Sequence, residues 1–257
     1  MWKGLRITVL LVVLTIVAGR AWFDRHSSTS WSSPLWVGIF PVDGDGSDVT
    51  ADYLASLTPA SFASIGEFFD REGGRYGLRL EHPVRILLYP PVATRPPALE
   101  RGSGPLATIL WSLRLRAYAW RAARAVEGPA PAVRIFVLYH DPSRTPTQPH
   151  SLGMEKGLIG VVYAFASRAM QGGNAIVVTH ELLHTLGATD EYDPRTLQPR
   201  FPEGYAEPER TPRFPQRLAE IMAGRRALSA DSAQMPDSLD EVVVGPATAR
   251  EIRWRDR

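Results

Sequence analysis

The chain has no cysteine, almost no lysine and no internal repeat. Without cysteine there is no disulfide framework, no thiolate metal site and no cysteine nucleophile. Any metal must be held by imidazole, carboxylate and water, a donor set that suits a catalytic rather than a structural zinc site. Lysine occurs only at positions 3 and 156, so the positive charge is nearly all arginine. The arginines are scattered, and the formal net charge of +2 is too small to imply nucleic acid as a partner. With no self-similarity at a period of 20–50 residues, a solenoid or propeller is excluded. The chain is not short of hydrophobic residues, which make up 44% of its 257 residues against 22% charged. That is enough for a buried core in one large domain or two small ones.

One long apolar run is present, Ile7-Thr-Val-Leu-Leu-Val-Val-Leu-Thr-Ile-Val-Ala18, preceded by Lys3 and Arg6. A charged start followed by such a run matches an export signal or, with Arg20, Trp22 and Phe23 at the lipid interface, a retained anchor. Residues 1–26 are therefore expected to be a signal peptide or membrane anchor that places the remainder outside the cytoplasm. Residues 27–257 are expected to form the working domain.

Along that domain, strands are expected at 35–42, 84–89, 133–139 and 157–165. Asp43-Gly-Asp-Gly-Ser-Asp48 superficially matches a calcium loop, but position six is Asp48 and position twelve is Leu54, so a turn is expected. Thr58-Pro59 opens a helix expected to stop at Gly73-Gly74. The longest helical pattern runs from Leu106 to Val126. Its stripe of Leu106, Ile109, Leu110, Leu113, Ala117 and Trp120 has core-facing spacing. A helix from Ala175 to Leu186 follows Gly172-Gly173-Asn174. Beyond Gly187 prolines at 194, 199, 202, 208, 212 and 215 predict a long irregular loop. A short helix from Pro215 into Glu220–Gly224 and a terminal helix over 246–254 complete the expectation.

The chemistry concentrates in Thr179-His-Glu-Leu-Leu-His-Thr-Leu-Gly-Ala-Thr-Asp190. His180 and His184, four apart on a helix, stack on one face and can aim a nitrogen each at one metal ion. Glu181 lies about 100° further round, free to work on a water. From the chain's own composition H-E-x-x-H is expected by chance on the order of 0.01 times. Gly187 can end the helix in a left-handed turn, after which Asp190 reaches the same metal. Glu191 and Asp193 compete with it for the third ligand position.

H-E-x-x-H-x-x-G-x-x-D resembles the signature of metzincin zinc peptidases in their aspartate-ligand, snapalysin-like form. Ile221-Met222-Ala223 is similar to the methionine turn that lies beneath the metal in that family. The resemblance covers residues 35–225. It implies a mixed α/β (α+β) fold with a twisted, mostly parallel sheet, a long backing helix, an edge strand beside the cleft and an active-site helix. The N-terminal subdomain would span 34–187 and an irregular C-terminal subdomain with the Met-turn 188–257. It further implies a Zn²⁺ cofactor on His180, His184 and Asp190, with Glu181 as general base, and a protein or peptide substrate. Tyr192 or Tyr205 would assist at the oxyanion, as a tyrosine does in some members, ordinary packing being the alternative for each. Strand 157–165 would be either an edge to which a substrate adds or a plain sheet strand. Two other functions fit the same residues: a zinc amidase acting on a non-peptide or cell-wall amide, and a non-catalytic metal-stabilised envelope module. Glu181 speaks against the module, which has no need of that carboxylate.

Overall fold

The computed structural model describes Arg6, Gly19 and residues 28–255, apart from 100, 101, 103, 146–150 and 156. The apolar run at 7–18 lies outside the described residues, and among those no helix is long and apolar enough to cross a membrane.

Five strands form the central sheet: β1 (Leu35–Asp43), β2 (Val84–Leu88), β3 (Val133–His140), β4 (Leu152–Met154) and β5 (Ile159–Phe165). Their order is β2-β1-β3-β5-β4, parallel except for β4. Alternation along each strand sends side chains to opposite faces, so one sheet feeds two cores. Val37, Ile39, Ile135, Val137 and Val162 face one core. Phe40, Val42, Phe136, Leu138 and Val161 face the other.

The larger core is covered by α1 (Asp48–Ser56), α2 (Ala63–Arg75) and α4 (Gln171–Thr185), and by the chain after 218, including α5 (Pro246–Glu251). The smaller is covered by α3 (Pro105–Arg124). Short pairs β6 (Ala219–Glu220) with β9 (Val242–Val243), and β7 (Arg226–Ala227) with β8 (Ala233–Gln234), order the C-terminal region. The architecture is mixed α/β with a five-stranded, mostly parallel sheet.

Several sequence expectations are corrected. The stripe from Leu106 to Trp120 does not face the core: Leu106 is 82% exposed, Leu113 58% and Trp120 56%. The opposite stripe of Trp111, Leu115, Tyr118 and Ala122 is buried instead. It has the same three-four spacing, and periodicity cannot choose between two apolar faces of one helix. The buried aromatics carry partners for their polar atoms, Trp111 Nε1 donating to the Pro97 carbonyl at 2.8 Å and the Tyr118 hydroxyl to that of Thr94 at 2.6 Å. Because α3 lies across the sheet from α4, it does not back the site; α2 shares the core with α4.

The helices do not break at paired glycines. The second runs through Gly73 and Gly74 to Arg75, and the active helix starts at Gln171, through Gly172 and Gly173. At Gly172 a Cβ would collide with the Asp237 carbonyl, so this glycine permits close packing rather than a start. No helix covers 215–224: Glu220 lies in β6 and its buried carboxylate accepts backbone N–H groups, which favours a turn over helical bonding. The terminal helix ends at Glu251, before the left-handed Arg253. Finally, β5 is internal, and the sheet edges are β2 and, beside β5, β4.

The Asp43–Asp48 turn is as expected. Asp43 Oδ1 accepts from Asp45 and Gly46, and Asp45 accepts from Ser47 and Asp141. These carboxylates are spent on backbone N–H groups.

Candidate metal centre

His180 and His184 project from the last turns of α4, whose other faces carry the buried Ile176, Leu182, Leu183 and Leu186. Asn174 fixes the helix to the sheet, its side chain bonding both the N–H and the carbonyl of Phe165 at 3.0 and 2.8 Å. The helix ends at Leu186, and Gly187 takes φ +97°. Ala188 N–H then bonds the Leu183 carbonyl at 3.0 Å, the pattern of a left-handed helix end. This turn returns the Ala188 carbonyl to His184, whose Nδ1 lies 2.8 Å from it.

His180 Nδ1 is likewise 2.9 Å from the Ile221 carbonyl. A carbonyl can only accept, so both imidazoles carry their proton on Nδ1 when neutral and turn an Nε2 lone pair outward. Both Nε2 atoms meet Asp190 Oδ1, at 3.2 Å from His180 and 3.1 Å from His184. The three ligand atoms lie within 4.8 Å of one another. With the protons on Nδ1, three lone pairs converge with no hydrogen between them, and Asp190 Oδ1 is buried without a hydrogen-bond partner of proper geometry. Such a set calls for a cation. These three residues can hold a metal ion; two imidazoles and one carboxylate fit a divalent transition metal.

Burial pushes His184 down, but Asp190, the Ala188 carbonyl and Glu181 outweigh it and raise its pKa. Burial pushes Asp190 up, but bonding to His180 and His184 holds it well below the carboxylate range.

Of the three carboxylates after the helix, Asp190 alone joins the histidines. Glu191 is buried, its N–H bonded to the Met222 carbonyl at 3.0 Å and its carboxylate 3.7 Å from Arg200. Asp193 caps its own turn, accepting from the N–H of Arg195 at 2.7 Å. Arg200 also donates to the Asp190 carbonyl, clamping this loop.

Glu181 is 6% exposed, and its Oε2 has no hydrogen-bond partner. Burial raises its pKa; the two histidines oppose this, Asp190 adds to it, and the N–H of Gly153 is a weaker opposing contact. Gly153 sits in β4 against the helix. A Cβ there would strike the Glu181 carbonyl and His184 Cβ, so only glycine lets the edge strand lie so close. β4 thus packs against α4 through Gly153. A cleft of about 710 Å³ opens beside it, lined by Tyr163, Val177, His180, Glu181, Tyr192 and Met235 among others.

Met222 is fully buried and follows Ile221, whose carbonyl holds the His180 imidazole. Tyr192 lines the cleft against Asp190. Its pKa is raised by burial, then by the charge of Asp190 and a hydrogen bond to it, and by Glu181. Tyr205 is instead packed between Phe201 and Phe214.

Sequence reasoning missed Gly153, Glu220 and the carbonyls of Ala188 and Ile221. Glu220 accepts from the N–H groups of Met222 (2.5 Å), Ala223 (2.9 Å) and Gly245 (3.0 Å) and from the Thr248 hydroxyl (2.7 Å). It ties the turn whose Ile221 carbonyl holds His180 to α5. A glutamate in a strongly apolar stretch, Ala219-Glu-Ile-Met-Ala223, was the available signal.

No family model matches the chain, and no curated protein matches it.

Proposed function

We propose that the protein is a zinc-dependent endopeptidase of metzincin type. The observation that carries this reading is the pairing of a His180–His184–Asp190 cation site with the buried carboxylate of Glu181 beside it, whose Oε2 has no hydrogen-bond partner. Zinc bound there would supply Lewis acidity, polarising a carbonyl and making water acidic enough to lose a proton near neutral pH.

Glu181 accepts that proton and delivers it to the leaving amine. A pKa raised by burial suits a group that must both take and give a proton. The Ile221 and Ala188 carbonyls hold the imidazole planes and keep Nε2 unprotonated. The edge strand β4 offers main-chain groups to an extended peptide, which favours a peptide over a compact amide. Tyr192, in the cleft against Asp190, supplies the hydroxyl for a developing oxyanion; Tyr205 packs against Phe201 and Phe214 instead.

Further support comes from the element order that the sequence resemblance implies. An edge strand, here β4 rather than 157–165, the active helix, and a buried Met222 next to the Ile221 carbonyl that holds His180 are compatible with that order. The residues beyond Gly187 share the larger core with the sheet and α4. Residues 1–26 enter as an export signal or anchor on their sequence alone.

The test is to compare the full chain with Glu181→Ala for bound metal and for cleavage of a mixed peptide pool. We expect one zinc retained in both, with cleavage falling at least ~10³-fold in the variant. Zinc in both and no cleavage by the wild type would sink the peptidase in favour of a metal-stabilised binding module.

A further inference from the structure

The outer face of α3 has no counterpart in the catalytic reading. At 100° per residue, Leu106, Ile109, Leu110, Leu113, Ala117 and Trp120 fall within about 100° of arc. All six are exposed, and they span about 21 Å along the helix. The same arithmetic sets Arg114 and Arg121 along one flank and Arg116 along the other. Arg124 continues the stripe, its guanidinium 4.7 Å over the Trp120 ring. Across Pro105–Arg124 there are four arginines and no acidic residue. Arg95 joins Arg114 and Arg121 along the adjoining groove, with Glu127 at its end.

We propose that α3 is an interfacial helix that lays this face on an anionic lipid surface. An apolar stripe flanked by cations, with a tryptophan at one end, has the shape of a helix lying in the headgroup plane. Arginine stems run along apolar surface and lift their heads to the phosphates. The charge argues against other occupants. A second copy sets four α3 arginines against four, with only Glu127 at the end of the groove to offset them, and residues 7–18 offer no acid to meet them. On this geometry the lipid-facing helix lies on the opposite face of the sheet from α4, leaving the cleft side away from the bilayer.

The absence of cysteine makes the test direct. Leu113→Cys, on the stripe, and Glu67→Cys, exposed on α2 across the sheet, each give the full chain one labelling site. An environment-sensitive probe is attached and the protein placed in phosphatidylcholine vesicles with or without phosphatidylglycerol. We expect the label at 113 to become lipid-immersed only with phosphatidylglycerol, and the label at 67 to stay aqueous in both. A cation near an anionic surface contributes about fivefold to partitioning. Reversing Arg114, Arg121 and Arg124 to glutamate should therefore remove the shift at 113 and leave metal content unchanged. A label at 113 that stays aqueous with phosphatidylglycerol overturns the proposal. So does protection in both vesicle types: if dilution among vesicles abolishes it, the partner is a second copy; if not, it is the chain's own N-terminal segment.

Discussion

At the residue scale, the site is defined by what the histidines do with their far nitrogens. Two backbone carbonyls consume both Nδ1 protons, and Asp190 Oδ1 is left facing two lone pairs. Asp190→Ala removes one of three ligands and should lower metal affinity by well over the 10–100-fold typical of outer-shell changes. Asp193→Ala removes only a turn cap and should leave metal content at wild-type level; equilibrium dialysis against a zinc chelator separates them. Glu191→Ala should also keep the metal, while leaving Arg200 without its partner. Gly153→Ala forces β4 off the helix. It should cut cleavage at least ~10-fold with metal retained, since displacements near 1 Å at a reacting centre cost about 10²-fold.

At the element scale, α3 and the turn at Glu220 carry the sharpest expectations. Trp111→Ala empties a buried site and should cost about 3–5 kcal/mol in urea unfolding. Leu113→Ser, on the exposed stripe, should stay within about 0.5 kcal/mol of wild type. Equal costs would mean that the helix is rotated. Burial pushes Glu220 up to about 7 from 4.5, the four donors to its carboxylate pulling it back. Between about 4.5 and 7 the folded protein thus holds a proton that the unfolded chain has released. Stability is then greatest below that window and falls as pH rises through it, by ~3 kcal/mol at most. Unfolding free energies of wild type and Glu220→Gln across the window check this: the difference should slope with pH, because only the wild type loses stability there.

At the scale of the whole molecule, the sheet and the site were legible to different degrees. The strands were readable because continuous apolar runs between prolines and glycines leave few alternatives. The motif was readable because its ligands are close in sequence, and a glycine with positive φ links helix to third ligand. Three things were not legible, each because it depends on a distant partner. The buried side of α3 depends on which stripe meets the sheet. The role of Gly153 depends on the approach of α4 from another part of the chain. The turn at 220–224 depends on Gly245 and Thr248, some 25 residues on. Propensity over a short window carries none of this.

The claim beneath all of these is that His180, His184 and Asp190 hold one zinc ion. Anomalous diffraction from crystals of the zinc-loaded protein, on either side of the zinc edge, tests it most directly. One peak is expected about 2.0–2.2 Å from both Nε2 atoms and an Asp190 oxygen. Zinc bound elsewhere, or bound here through Glu191 or Asp193 in place of Asp190, would contradict it.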